Sequence, residues 1–468
     1  MLTYEDFEKC GDDESKIADF IRMKIDEQEQ NERYMEGVTA GEFYRGGDPA
    51  MQKYEKIIYD VMGAPRKEIF SANNKLTANF YNLFITQEVS YLLGNGISFD
   101  DETIKKRLGN EFDYDLQDLM TWAANDSESY ALLKSDGIEK LCVGCDDEEP
   151  HFIPIFSAYD KTTPRAGFKH WRLDNNSPLN VELYTPTGYS KWREINGKLQ
   201  IVEPEKPYDL TYSQNAVGER WNVQDNSGGE LPIVPLIYPN HKSAIHNKKE
   251  TLTAFNLVLS GLVNNMTEVN LLYWVIKNAD GMGDQDYEDF ITNLYKSKVL
   301  PLPDGVEADP HEINADHEGH ESTLARLREQ LFQDFKAVDV QSVMGGNKTT
   351  VEIKAAYENL NLKCDNIEKQ VGRFVRKVLK FYGFDENTGF SFTRPPNINL
   401  NEYMTMVEQI KATVGEDTAL KMELEALGKI DQYEEIARQK AADEQAMMIQ
   451  STQTMQAAEG TGENNDEI

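Results

Sequence analysis

Apolar residues recur three and four positions apart near the start of the chain, through Ile17, Phe20, Ile21, Met23 and Ile25 and again through Tyr54, Ile57, Ile58 and Val61. That spacing predicts helix over much of 14–93, broken at Gly46, Gly47, Asp48 and Pro49. Within it, a helix from about Lys75 through Phe84 to Leu93 is expected to stop at Gly94, Asn95 and Gly96, because glycine accepts positive φ at a helix end. A short helical block is expected at about 115–134.

From about 138 to 240 the period changes from three or four to two. Strands are predicted at 139–143, 151–159, 168–173, 180–184, 189–195 and 198–202, the last two joined by Asn196-Gly197, a strong short-range hairpin signal. They read as an antiparallel meander. A short apolar strand, I-V-P-L-I-Y-P from Ile233, follows Gly228-Gly229.

A long helix is then expected from about Ser243, with Leu252, Phe255, Leu259, Leu262, Met266, Val269, Tyr273 and Ile276 forming an apolar seam. At 1.5 Å per residue it would run about 50 Å and end at 281–283. A small module follows: a helical piece at 287–296, a strand at 298–302, and a loop from Pro303 to His320. A second helix is expected from about Ser322 through Leu324, Leu327, Leu331 and Phe335. The glycine-containing stretch 339–350 interrupts it. A third helix at 351–382 carries Ala355, Leu360, Ile367, Val371, Phe374 and Val378. A returning strand at 387–397 and helix at 401–442 complete the ordered part, and the polar tail from 446 is expected to be disordered. The fold class is α+β, mainly helical. Two long helices flanking a small mixed module form a plan that a compact enzyme domain rarely needs.

Charge changes the picture. The 468 residues carry 48 Lys and Arg against 81 Asp and Glu, a formal net charge of −33. A conventional nucleic-acid binder needs a net-positive face, so that class is disfavoured. An acidic surface does suit DNA that must pass without sticking. The four cysteines, Cys10, Cys142, Cys145 and Cys364, are too few and too scattered for a disulfide framework. The opening residues lack the pattern of a secretory signal, and no apolar run approaches the roughly 18 residues of a membrane span, so a reducing, membrane-free setting is expected.

Candidate chemistry is thin. Cys142 and Cys145 form one C-x-x-C without two further nearby ligands for zinc and without a thioredoxin-like βαβ context, so two ordinary thiols at a strand end are favoured over a metal or redox pair. His311, His317 and His320 lie beside Asp309, Glu312, Asp316, Glu318 and Glu321, donor types that suit a divalent ion and raise the alternative of a metal-dependent hydrolase. Their spacing is not H-E-x-x-H, and a solvated acidic linker is the simpler reading. Gly345-Gly346-Asn347-Lys348-Thr349-Thr350 lacks the leading glycine and the preceding buried strand of a phosphate loop. Arg373, Arg376, Lys377 and Lys380 make one basic patch, read as a surface that salt-bridges acidic neighbours. No nucleophile, metal or cofactor constellation stands out.

Several patterns in order resemble the SPP1-type portal proteins of tailed bacteriophages. They are Phe43-Tyr44-Arg45-Gly46-Gly47; Asn73-Asn74-Lys75-Leu76 leading to a helix that ends Ser90-Tyr91-Leu92-Leu93-Gly94-Asn95-Gly96-Ile97; the meander with Asn180-Val181-Glu182-Leu183-Tyr184; and Leu231-Pro232-Ile233-Val234-Pro235-Leu236 followed by Asn240-His241-Lys242-Ser243. The likeness spans about 15–440. Two departures stand out: Thr349-Thr350-Val351-Glu352 where the family has Ser-Gly-x-Ala, and Asn95-Gly96 where Lys/Asn-Pro is common.

The resemblance implies a non-enzymatic ring, typically of twelve subunits, at one capsid vertex of the virion, assembled in the host cytoplasm. It would conduct double-stranded DNA during packaging and ejection, and meet the terminase motor, the major capsid and scaffolding proteins and a head-to-tail adaptor, with no membrane and no cofactor. On that plan the wing is 1–242, stem helix 1 is 243–278, the clip 279–315, stem helix 2 316–338, the tunnel loop 339–350, the long wing helix with its returning strand 351–400, the crown 401–445 and a disordered tail 446–468. Gly345, Gly346, Asn347, Lys348 and Thr349 of the tunnel loop would line the DNA channel. Their contacts would go to phosphates, with Lys348 giving a weak, screened hold.

Overall fold

The computed structural model describes residues 2–59, 64–67, 72–135, 137–174, 176–208, 211–214, 219–222, 230–267, 272–277, 283, 285, 289, 307–312, 317–344, 349–385, 387–394, 400–426, 433 and 436–439. The chain divides into two compact units, 1–337 with 362–393 and 338–361 with 394–468.

The first unit opens with α1 (Tyr4–Glu8), α2 (Glu14–Glu29), α3 (Glu32–Tyr44) and α4 (Pro49–Lys53). The last three begin where a side-chain oxygen takes up orphan N–H groups: Asp13 accepts from Ser15 and Lys16, Asn31 from Arg33, and Asp48 from Ala50 and Met51. The break expected at 46–49 is present. The helix expected through 54–61 is not: β1 (Ile57–Tyr59) pairs antiparallel with β2 (Pro65–Lys67). β-branched and aromatic residues suit a strand, and so short an apolar run does not discriminate by period. Residues 72–79 form no helix, so α5 (Phe80–Leu93) starts five residues later than its expected start at Lys75.

β3 (Ile97–Phe99), α6 (Glu102–Leu108) and α7 (Phe112–Asp126) follow. The helical block expected to reach 134 stops at Asp126, where Ser127 turns left-handed at φ 75°. The next residues form β4 (Glu128–Lys134), buried at six consecutive positions, beside β5 (Gly137–Leu141). A strand covered on both faces has no alternation to read, which is why it passes for helix in sequence.

The expected meander is present: β6 (His151–Ile155), β7 (Ala166–Trp171), β8 (Asn180–Tyr184), β9 (Tyr189–Ile195) and β10 (Lys198–Lys206) form one antiparallel sheet in sequence order. Asn196 and Gly197, at φ 51° and 76°, make the left-handed pair that a tight hairpin requires. Against this sheet α2 lays Ala18, Phe20 and Ile21, closing a core with Ile153, Phe168, Val181 and Trp192. β11 (Thr211–Gln214) pairs with β12 (Glu219–Asn222), and β13 (Ile233–Ile237) pairs with β4, giving the order β13-β4-β5.

α8 (Lys249–Thr267) is shorter than the helix expected at 243–278, spanning about 28 Å. Its expected C-terminal part is instead the strand β14 (Leu272–Lys277), paired with β15 (Glu307–Glu312). L-Y-W-V-I-K is aromatic and β-branched, and its residues only continued the helical count by coincidence of spacing. The loop expected to reach His320 therefore contains β15 and the first turn of α9 (His317–Phe335). The expected helix at 287–296 and strand at 298–302 lie outside the described residues, apart from Asp289.

In the second unit α10 (Val340–Met344) precedes α11 (Thr350–Phe381), a 32-residue helix that matches the expected 351–382 and continues into the first unit at residue 362. β16 (Phe390–Phe392), the core of the expected returning strand, pairs with β3. The helix expected at 401–442 is divided by Gly415, at φ 85°, into α12 (Leu400–Val414) and α13 (Glu416–Ala426). The tail at 446–468 lies outside the described residues. Helices with antiparallel sheets make the architecture α+β, about half helical.

Candidate functional site

Three of the sequence patterns singled out above converge on α8. Beyond the buried Leu252 and Phe255, it carries a buried polar row of Asn256, Ser260 and Asn264, four residues apart, each under 5% exposed. The segment 74–78 docks along that row in the opposite direction. Asn264 Oδ1 accepts the Asn74 N–H at 2.7 Å and its Nδ2 donates to the Asn74 carbonyl at 3.2 Å. Ser260 Oγ accepts the Leu76 N–H at 2.9 Å and donates to the Leu76 carbonyl at 3.3 Å. Asn256 Oδ1 accepts the Ala78 N–H at 2.9 Å. The match follows from geometry: four helical residues advance about 6 Å, as two extended residues do. Each polar side chain thus meets every second backbone group, as though the helix were a neighbouring strand.

The turn at 46–49 locks onto the same place. Asp48, fully buried, caps α4 and accepts from Asn256 Nδ2 at 2.9 Å and Thr253 Oγ1 at 3.3 Å. Thr77 Oγ1 donates to the Gly46 carbonyl at 2.7 Å, and Asn82 Nδ2 to the Tyr44 carbonyl at 3.0 Å. The expected apolar seam supplies only Leu252 and Phe255 to the buried face; Asn256, Ser260 and Asn264 form the rest of it. The signal that finds them is their own spacing of four.

A second fastening lies beneath α5. Glu88 is buried, forms an ion pair with Lys363 of α11, and accepts from the Tyr238 hydroxyl at 3.1 Å. Lys363 also donates to the Phe335 carbonyl at the end of α9, at 2.9 Å. One ion pair thereby ties α5, α9 and α11 together.

The C-x-x-C acquires a partner that its sequence neighbourhood does not reveal. Asp126 Oδ2 accepts the Gly144 and Cys145 N–H groups at 3.0 and 3.1 Å and the Cys142 thiol at 3.6 Å, and the two sulfurs are 3.7 Å apart. Asp126, Cys142 and Cys145 are all buried, and among the described residues no fourth His, Cys or carboxylate joins them. Burial pushes the Asp126 carboxyl up to about 6. α3 approaches so closely that a Cβ on Gly41 would sit 1.9 Å from the Cys145 carbonyl oxygen, and one on Gly37 2.2 Å from Asp126 Oδ1. With one oxygen engaged by three donors, Asp126 acts as a clamp on the turn.

Of the residues proposed to line a channel, Gly345, Gly346, Asn347 and Lys348 lie outside the described residues. Thr349 is the N-cap of α11: its N–H and hydroxyl bond Glu352 Oε2 at 2.8 and 3.1 Å, and Thr349 Oγ1 accepts the Glu352 N–H at 3.3 Å. The departure Thr349-Thr350-Val351-Glu352 is therefore a capping box, a pattern readable in sequence as T-x-x-E. The histidines do not share one loop: His311 is on β15, and His317 and His320 are on α9. The basic patch also differs from expectation. Arg376 lies 5.5 Å from the centre of the Phe390 ring and Arg373 bonds Gln370, and neither forms an ion pair among the described residues. Arginine's flat, weakly hydrated head stacks readily on an aromatic ring.

These motifs can be set against known proteins. Residues 16–447 match the family described as phage portal protein, SPP1 Gp6-like. The portal protein of Bacillus phage SPP1 is 23% identical, over 72% of this chain and 68% of its own length. That of Clostridium phage phiCD119 is 20% identical, over 71% and 77%. Among solved structures, a chain of the virion of a native gene transfer agent particle has a TM-score of 0.34 at 12% identity, covering 72% of this chain and 85% of that one. The match over nearly the whole length places the chain in the phage portal protein family, SPP1 Gp6-like, a structural family of phage heads.

Proposed function

We propose that this chain forms a closed ring, of twelve subunits on the plan of the family, at one vertex of a phage capsid. The ring conducts double-stranded DNA during packaging and ejection and serves as the platform for the terminase motor and the head-to-tail adaptor. The observation that carries the proposal is the family match over 16–447, whose motifs interlock around α8. In the assignment, 1–242 is the wing, 243–278 stem helix 1 with α8 as its helical part, 279–315 the clip, 316–338 stem helix 2, 339–350 the tunnel loop, 351–400 the long wing helix and returning strand, and 401–445 the crown. Residues 345–349 line the channel, with Lys348 as a weak hold on phosphates.

Two further features support the ring. With the inner stripe of α8 taken up by 74–78, Leu257 and Met266 are left exposed, as is Leu362 on α11, and a neighbouring subunit in a heterologous ring would cover them. The charge also fits passage: twelve copies at −33 give about −400 formal charges, a field that repels a duplex from the wall. Because portal proteins are structural, the alternative of a metal-dependent hydrolase at His311, His317 and His320 is set aside. The test is negative-stain imaging with native mass measurement of the purified protein. Rings with a central hole are expected; a strict monomer under all assembly conditions overturns the proposal.

A further inference from the structure

A cleft of about 260 Å³ opens between the β13–α8 connection, the end of α9 and α11, and lysines gather around it: Lys242, Lys248, Lys336 and Lys363. Lys363 is spent on Glu88. His246, also on the rim, is taken up by Glu36 at 2.8 Å. The other three lysines have no carboxylate within 4 Å among the described residues. Lys242 Nζ meets only His246 Nε2 at 3.0 Å, and Lys248 Nζ bonds the Ala244 carbonyl at 2.6 Å and lies 4.7 Å from the centre of the Phe335 ring. Lys336 sits in a left-handed backbone at φ 54° that turns the chain at the end of α9. Among the described residues the only carboxylate lining the cleft is Asp334, whose Oδ1 accepts from Gln330.

Three unmatched ammonium groups around one carboxylate are out of keeping with a chain in which acids outnumber bases by 81 to 48. Burial and the neighbouring Lys363 charge pull the Lys248 ammonium down to about 8, the direction expected where positive charge is crowded and undercompensated. An anion at this position would relieve both.

We propose that the cleft is an oxyanion site whose ligand is an Asp or Glu carboxylate of a second copy of this chain. One small cleft suits one carboxylate, whereas a duplex needs a row of cations along its backbone. A second copy brings 81 Asp and Glu against 48 Lys and Arg, so it offers carboxylates in excess. The inference rests on the ring reading above and adds to it the site at which one subunit grips the next.

The test uses a zero-length carbodiimide on oligomers assembled from equal amounts of ¹⁴N- and ¹⁵N-labelled full-length chain. The reagent joins a lysine amine to a touching carboxylate as an amide and itself takes up the water lost. Peptides that join Lys248, Lys336 or Lys242 of one label to Asp or Glu of the other are expected. Lys248→Gln with Lys336→Gln should lower the yield of those peptides and the oligomer fraction at least tenfold, with the subunit's circular dichroism unchanged. Oligomers without mixed-label links at these lysines overturn the cleft assignment and leave the ring standing. Lysines protected instead by a short DNA duplex, without mixed links, overturn the carboxylate in favour of a phosphate. No oligomer at all removes the ring reading and this inference with it.

Discussion

α8 and α11 are both helices with one face turned inward, and α8 gives most of the length of that face to polar side chains where α11 gives it to apolar ones. α11 buries Cys364, Ile367, Val371, Phe374, Val375 and Val378, each at or below 1% exposure. α8 buries Leu252 and Phe255 in its first turns and then the polar row Asn256, Ser260 and Asn264. Apolar packing is non-directional: it rewards area and volume, and it tolerates sliding or repacking. A ladder of side-chain hydrogen bonds to alternate backbone groups does not slide, because a shift of one residue leaves every buried donor and acceptor unpaired. The difference teaches that stability and register are supplied by different helices here. In the ring proposed above a helix would have to meet its copy at a fixed height, and the directional device lies on the helix that the proposal places in the stem.

The contrast is broken most forcefully from the apolar side. Phe374→Ala removes a fully buried ring from α11 and is expected to cost about 3–5 kcal/mol. The check is the urea midpoint of the subunit; a loss below about 1 kcal/mol would mean that α11 is not a principal source of burial.

The polar side answers next. Asn256→Leu keeps roughly the volume yet leaves the Ala78 N–H and the Asp48 carboxylate without their partner in a buried site, for an expected loss of about 3 kcal/mol. Hydrogen exchange should show amides of 74–78 losing protection ahead of the rest of the unit. If stability falls but that local protection stays, the ladder is not what holds the segment.

A third measurement asks whether the clamp at Asp126 behaves as a buried polar device of the same kind. Its folded carboxyl is raised to about 6 by burial, above the ordinary aspartate value of 3.8, so the folded state holds its proton more tightly than the unfolded chain. The stability this contributes is fully present below about pH 4 and is lost as pH rises through about 6, a change on the order of 3 kcal/mol. His170, pushed down to about 3 by burial, slopes the opposite way over much of the same range. The quantity to measure is therefore the difference between the pH profiles of Asp126→Asn and the parent. That difference should rise, in favour of the variant, from pH 4 to 6; a flat difference removes the clamp from the list of titrating devices.

How much of this was legible follows the same division. The meander was readable almost to the residue at 180–184 and 189–195, because one face of each strand is covered and Asn196-Gly197 fixes the turn. α11 was readable because its apolar positions from Leu360 to Leu379 keep one face for more than five turns. β4 was not, since burial on both faces erases alternation, and Ser127 ends α7 without the glycine that usually announces a left-handed stop. β14 was lost because its apolar residues happened to fall in step with those of α8. The docking of 74–78 on Asn256, Ser260 and Asn264 was invisible for a different reason: each half looks like a loop or a flaw, and only their pairing makes sense of them. The capping box at Thr349 is legible in the sequence as T-x-x-E, since both of its partners are local.

The smallest effect is the one that tests the comparison most closely. Ile367→Leu conserves volume in a site 1% exposed on α11, so the only change is the shape of a hydrocarbon. If burial there is non-directional, neighbours adjust by rotamer changes and the loss stays below about 1.5 kcal/mol, with the m-value unchanged. Asn256→Leu on α8 introduces a side chain of similar size into a site just as closed, and is expected to cost about twice as much, because hydrogen bonds cannot be repacked. Equal losses from the two substitutions would mean that α11 is register-locked as tightly as α8. The division of labour between the two helices would then disappear, and shape complementarity alone would have to set the height of the stem.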